Sequence, residues 1–165
     1  GIDRERERIE LIDGELIPMN AKGARHEWVR GELQNHLAEL LPKGYRLYNE
    51  PGWRPGGDLY LEPEMIVCKA GFQASSVPPS EVLLLVEVAD TSLRYDSATK
   101  ARLYARLGVR EYCVINAQTL ETTVHLEPSA NGYRRKHKVP PNRALKPTLL
   151  NGLALRLADL PIAHE

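Results

Sequence analysis

Apolar positions recur along this chain in short runs whose spacing changes, and each change marks an element. Residues 9–18 read Ile-Glu-Leu-Ile-Asp-Gly-Glu-Leu-Ile-Pro. Two short apolar strands around Asp13-Gly14 predict a hairpin, because Asp-Gly adopts the left-handed turn that matches strand twist. From Ala24 to Leu41 the apolar residues Val29, Leu33, Leu37, Leu40 and Leu41 recur at helical steps. They predict an amphipathic helix ended by Pro42 and Gly44, with His26 on or near its inward stripe. Short strands are predicted at 45–48, 59–61 and 65–68, separated by loops at 51–57 and 70–80 that are rich in Pro, Gly and Ser.

Residues 82–89 read Val-Leu-Leu-Leu-Val-Glu-Val-Ala. Both faces are apolar, which predicts a central strand covered on both sides. A second helix is predicted from about Ser97 to Leu107, with Gly108 as its stop. A strand follows over Glu111–Asn116, then an antiparallel pair, Thr122–Leu126 and Tyr133–Val139, around Asn131-Gly132. The apolar-rich stretch Leu149–Leu160 closes the domain. The order predicts an α/β fold: a mixed sheet flanked by helices on both faces, with antiparallel hairpins. Residues 1–8 alternate arginine with acid and read as an exposed arm; 9–165 read as one domain. A chain of this length buries roughly two-thirds of its unfolded surface, enough for one sizeable core.

Charge and composition narrow the function. Lys+Arg and Asp+Glu are both 22, which excludes a histone-like basic binder. The balance is uneven, however. No acid occurs from Pro128 to Ala158, a stretch that includes Arg134, Arg135, Lys136, Lys138, Arg143 and Lys146. Arg134, Arg135 and Lys136 are candidates for nucleic-acid phosphates, weighed against a solvated hairpin face. The longest apolar run, Val82–Val86, is far short of the ~20 residues that cross a bilayer. No membrane partner is expected. No apolar leader opens the sequence, and Cys68 and Cys113 sit in apolar runs without a Cys-x-x-Cys pair. A cytoplasmic protein with buried free thiols is the expectation. Neither a glycine-rich phosphate loop nor Gly-x-Ser-x-Gly is present.

The chemistry concentrates on a few polar residues in apolar settings. Glu87 lies in the most hydrophobic strand, where an unpaired carboxylate costs several kcal/mol. Glu64 opens the strand 65–68 after Pro63, with Glu62 as a neighbouring alternative. Two carboxylates at strand ends are how a hard cation such as Mg²⁺ (or Mn²⁺) is held. Asp96 and Lys100 stand four apart on the second helix, which reads as a surface ion pair or as a lysine returned over Glu87.

The stretch from Glu87-Val-Ala-Asp90 through Asp96, Lys100 and Tyr104 to Gly108-Val-Arg-Glu-Tyr112 resembles the family named "putative restriction endonuclease", found in cyanobacteria and Thermus-type bacteria. That family is similar to the PD-(D/E)XK nuclease superfamily. The Glu10-Leu-Ile-Asp-Gly14 opening, the helix with His26 and Leu150-Asn-Gly152-Leu also match. The resemblance implies a restriction-endonuclease-like sheet. It also implies a divalent metal on Glu64, Glu87 and the backbone carbonyl of Val88, with Lys100 as the helix-borne catalytic lysine. The superfamily's usual lysine place, two after the Glu, is Ala89. The first acid is Glu64 where the family has Asp, and Asp90 stands where it commonly has Ser. His26, Asp90, Asp96 and Tyr104 are candidates for the surroundings of the site.

The leading expectation is a metal-dependent nuclease cutting DNA phosphodiesters. The alternatives are a catalytically degenerate nuclease fold that binds DNA, and an interaction module that forms a homodimer.

Overall fold

The computed structural model describes residues 8–19, 21–90 and 94–163, with no side chains described at 94–96. Strands β1 (Ile9–Ile12) and β2 (Glu15–Pro18) form a separate two-stranded sheet. Their turn residues Asp13 and Gly14 both take positive φ, 50° and 85°, as a tight Asp-Gly hairpin requires. Helix α1 (Ala24–Leu40) buries His26, Val29, Leu33 and Leu37, a single stripe at helical spacing.

The main sheet has six strands in sequence order. They are β3 (Tyr45–Asn49), β4 (Met65–Lys69), β5 (Leu84–Ala89), β6 (Glu111–Asn116), β7 (Thr122–Ser129) and β8 (Gly132–Val139). Only β5 and β6 run parallel, and helix α2 (Arg94–Leu107) makes the crossover between them. All other neighbours are antiparallel.

Strand alternation divides the core into two layers. Met65, Val67, Leu84, Val86, Val88, Cys113 and Ile115 pack with Val29, Leu33 and Leu37 of α1. Ile66, Cys68, Leu85 and Tyr112 pack on the other face with Leu103 and Tyr104 of α2. Each face of the sheet therefore carries one helix, and the central strands are buried on both sides, as their apolar sequence predicts. The mixed α/β architecture with antiparallel hairpins is the expected one. Both cysteines are buried free thiols. Among the described residues no helix is long and apolar enough to cross a membrane.

Several boundaries differ from the sequence reading. Residues 59–61 form no strand; Tyr60 and Leu61 make only single bridges, to Leu11 and Trp53. Gly56, Gly57 and Pro63 leave too few pairable positions for a ladder. Strand β5 starts at Leu84, because Pro79–Glu81 forms a single turn of 3₁₀ helix just before it. Helix α2 begins at Arg94 rather than near Ser97. The Leu149–Leu160 stretch is irregular apart from one 3₁₀ turn at Leu157–Asp159, yet Leu150, Leu153, Leu155, Leu157 and Leu160 are all buried. Residues 1–7 of the expected arm lie outside the described residues. At its root, Arg8 donates to Glu62 Oε2 at 2.8 Å, so the arm ends tied to the domain.

Candidate active site

Glu64 and Glu87 sit at the adjoining ends of β4 and β5. Met65 pairs with Val86, so Glu64 stands one step beyond the last rung, opposite Glu87. In an antiparallel pair, opposed residues lie on the same face. Both carboxylates line one cavity of about 340 Å³, together with Glu10, Lys22, His26, Asp90 and Lys100.

Glu64 is buried, and each oxygen has a partner. Oε2 accepts the main-chain N–H of Val88 at 2.7 Å. Oε1 lies 2.6 Å from His26 Nε2 and 3.6 Å from Lys22 Nζ. His26 Nε2 also lies 2.7 Å from the Val88 carbonyl oxygen, which only accepts, so this nitrogen carries a proton. Its Nδ1 faces the Glu27 carboxylate at 3.2 Å, again an acceptor. Both ring nitrogens thus face acceptors, an arrangement that favours the protonated ring. Burial works against that charge, but the Glu64 carboxylate and the Val88 carbonyl outweigh it and raise the pKa.

Glu87 faces the α2 side. Tyr104 donates its hydroxyl to Oε1 at 2.8 Å, Lys100 Nζ is 3.4 Å from the same oxygen, and Tyr112 donates to Oε2 at 3.3 Å. Burial raises the Glu87 pKa; Lys100 opposes it, and the charges of Glu64 and Glu10 add to it. Burial and the Glu87 charge push the Tyr104 phenol well up, so it remains a donor. For Lys100, burial lowers the pKa but Glu87 and Glu10 more than offset it, and the ammonium stays charged. The lysine does return over Glu87 from the helix, as one sequence reading expects.

Glu10 is the residue that sequence reasoning passes over. It is 2% exposed and its Oε1 is 2.9 Å from Lys100 Nζ, closer than Glu87 is. Its other oxygen accepts the Glu62 main-chain N–H at 2.9 Å. The available signal is a charged residue between Ile9 and Leu11 in an apolar strand. Glu62, the alternative to Glu64, instead pairs with Arg8 and with the Tyr60 hydroxyl at 3.0 Å and does not line the cavity.

Asp90 lines the cavity and accepts from Gln118 Nε2 at 3.4 Å. The Asp96 side chain lies outside the described residues; Lys100 takes Glu10 and Glu87 as partners. Of the basic stretch, Arg134, Arg135, Lys136 and Lys138 fall on β8, whereas Arg143 and Lys146 lie beyond it. Lys136 opposes His125 and Lys138 opposes Thr123, and all four line a second cavity that shares Ala89, Asp90 and Ser97 with the first. Arg135 opposes Leu126, whose side chain belongs to the α1-side core, and pairs with Glu127 at 3.7 Å. Three successive strand residues cannot share a face. Of the expected trio Arg134, Arg135 and Lys136, alternation sets Arg135 apart from Lys136, and Lys136 and Lys138 are the β8 residues that line the second cavity.

Among the described residues no three carboxylate, imidazole or thiolate side chains form a ready-made metal cage. The donors present are nonetheless of the right kind for a hard cation: two carboxylates on neighbouring strand ends and one carbonyl, with room for water. His26 already holds the Val88 carbonyl and one Glu64 oxygen.

A mixed six-stranded sheet with one βαβ crossover, a helix on each face and a separate antiparallel hairpin is the restriction-endonuclease-like architecture among α/β proteins. The chain belongs to the Uma2 family, described as "Putative restriction endonuclease", whose family model matches residues 2–158. The fold is similar to a solved structure from Anabaena variabilis ATCC 29413 described as a putative nuclease belonging to DUF820. The TM-score is 0.70 at 14% identity, over 92% of this chain and 88% of that one. No curated protein sequence matches the chain. The family's description is that of a nuclease, and the neighbour supports the fold.

Proposed function

We propose that the protein is a metal-dependent nuclease that hydrolyses phosphodiester bonds in DNA. The observation that supports it most is the convergence of Glu64, Glu87 and Lys100 on one cavity at the end of an otherwise apolar strand pair. In this reading Glu64, Glu87 and the Val88 carbonyl hold Mg²⁺ or Mn²⁺. The ion, when bound, neutralises charge on the phosphate and lowers the pKa of water at the site.

The chain's own groups do the rest. Lys100 brings a fixed positive charge to the phosphate, where charge grows in the transition state. Tyr104 and Tyr112 hold the Glu87 carboxylate in one orientation. The Val88 N–H and His26 do the same for Glu64. Lys136 and Lys138 take flanking phosphates. The reading treats residues 9–165 as one catalytic domain that acts as a homodimer, with static light scattering as the check on the latter.

One observation favours a second reading. The His26 ring fills the place between Glu64 and the Val88 carbonyl, as it would in a nuclease fold kept for binding DNA without cutting it. Calorimetric titration with Mn²⁺ and nicking of supercoiled plasmid separate the two. The nuclease reading expects one or two Mn²⁺ sites and nicking in the wild type, both lost in Glu87→Gln with the fold retained. DNA binding without Mn²⁺ heat or nicking selects the second reading.

A further inference from the structure

We propose that Glu10, carried by the β1–β2 hairpin, is the positioning residue for Lys100; this rests on the nuclease reading above. Three observations on different elements carry it. The first is reach: Lys100 Nζ lies 2.9 Å from Glu10 and 3.4 Å from Glu87. The ammonium is held between two carboxylates and nearer the one that the metal reading leaves unused.

The second is how Glu10 is fixed. At 2% exposure it cannot swing into water. Its second oxygen is anchored by the Glu62 N–H. The hairpin itself is clamped to the same segment by a reciprocal backbone pair, Leu11 N–H to the Tyr60 carbonyl at 2.8 Å and Tyr60 N–H to the Leu11 carbonyl at 2.9 Å. That segment runs on through Pro63 into Glu64. One short stretch of chain therefore docks the hairpin, anchors Glu10 and delivers Glu64.

The third is electrostatic. A buried ammonium carries a desolvation cost that facing carboxylates must offset. Without the charge of Glu10, Lys100 has only Glu87 to answer it, and the two neutralise each other. With Glu10 present the lysine keeps its charge while Glu87 retains oxygen capacity for a cation. Glu10 touches neither substrate nor metal in this arrangement; it acts through Lys100.

The separation from a merely structural role comes from Glu10→Gln. Glutamine keeps the length and the carbonyl that accepts the Glu62 N–H, so docking of the hairpin is preserved while the charge facing Lys100 is lost. With plasmid DNA and Mn²⁺, the expected result is a fall in kcat of tenfold or more and a KM within twofold of the wild type. Mn²⁺ affinity by calorimetry should weaken severalfold, as Lys100 moves onto Glu87. In a Lys100→Met background, adding Glu10→Gln should change kcat by less than twofold, because Glu10 has nothing left to position. Thermal melts confirm that each variant is folded; should Glu10→Gln fail to fold, the same two readouts on Glu10→Asp, which keeps the charge at a shorter reach, decide the matter. Wild-type kcat and Mn²⁺ affinity in Glu10→Gln, in an enzyme that does cut DNA, overturn the positioning role alone. A wild type that neither binds Mn²⁺ nor nicks DNA overturns the nuclease reading, and the role assigned to Glu10 with it.

Discussion

Glu64 accepts the main-chain N–H of Val88 at 2.7 Å, so a side chain stands in for the next backbone rung between β4 and β5. The span between the Val88 N–H and His26 is matched to the length of a glutamate, rather than an aspartate, side chain. The extra methylene lets one oxygen reach Val88 while the other meets His26 at 2.6 Å.

Glu64→Asp shortens that reach, so the carboxylate keeps either the Val88 N–H or its contact with His26 and gives up the other. A buried donor left unpaired costs about 1–3 kcal/mol. For a domain of this size each kcal/mol is worth about 2–4 °C, so the melting temperature should fall by roughly 2–12 °C. A melt unchanged from the wild type would show that the backbone closes the gap.

Tyr104 makes a similar argument on the other carboxylate. Its hydroxyl is 2.8 Å from a Glu87 oxygen, and its ring stacks edge-on to Tyr112 at 4.9 Å. Tyr104→Phe keeps the ring contact and removes only the donor. A hydrogen bond to a charged group contributes about 1.5–3 kcal/mol, and that loss should register in denaturant melts. In a Glu87→Gln background, where the acceptor is neutral, the same substitution should cost about half as much or less. Equal costs in both backgrounds would mean that the hydroxyl contributes through packing alone.

The fold was legible wherever periodicity and punctuation agreed. The stripe Val29, Leu33, Leu37 marks α1, the doubly apolar run into Val88 marks the central strand, and Asp13-Gly14 and Asn131-Gly132 mark the hairpins. Of the site, Glu87 stood out because it interrupts the most hydrophobic run in the chain. Glu10 did not, since an acid in a short edge hairpin reads as solvent-facing until the hairpin is seen to fold over Lys100. His26 is a similar case: its position on α1 is periodic, but its partner, the Val88 carbonyl, lies 62 residues away. Long-range pairing of this kind leaves no local mark. The β8 basic stretch shows the opposite error, because composition counts charges without asking which face of the strand they occupy.

Glu111 offers a stability test remote from the site. It is 2% exposed, and its carboxylate accepts the Thr148 N–H at 2.8 Å with the Thr148 hydroxyl at 3.4 Å. Burial raises its pKa, and the two Thr148 donors offset this only in part. An acid with a raised folded pKa prefers to be protonated in the native state. It costs nothing below the unfolded value of about 4.3, and its penalty grows as pH rises from there through the folded value and persists above it. Glu111→Gln is neutral at every pH and keeps an acceptor for the Thr148 N–H. The difference in melting temperature, variant minus wild type, should therefore increase from pH 4 to pH 7 and be positive at the upper end. A difference independent of pH would show that the carboxylate is equally comfortable in both states.

Phosphate contacts give the last prediction, and strand register makes it specific. Lys136 and Lys138 lie on the face that adjoins the carboxylate cavity, whereas Arg135 opposes a residue of the α1-side core. Each lysine that neutralises a phosphate contributes about 0.9 to the slope of log affinity against log salt on duplex DNA. The double substitution Lys136→Gln with Lys138→Gln should lower that slope by about 1–2 and weaken binding at low salt. Arg135→Gln removes a charge from the α1-side face and should change the slope by less per charge removed. Sequence preference should be the same in all three proteins, because phosphate contacts carry no base information. Fluorescence anisotropy over a salt series, with Ca²⁺ present to keep the DNA intact, measures all of this. Equal slope changes per charge removed in the two variants would reduce the β8 contribution to net charge alone, and a larger change per charge for Arg135→Gln would place the DNA on the opposite face of the hairpin.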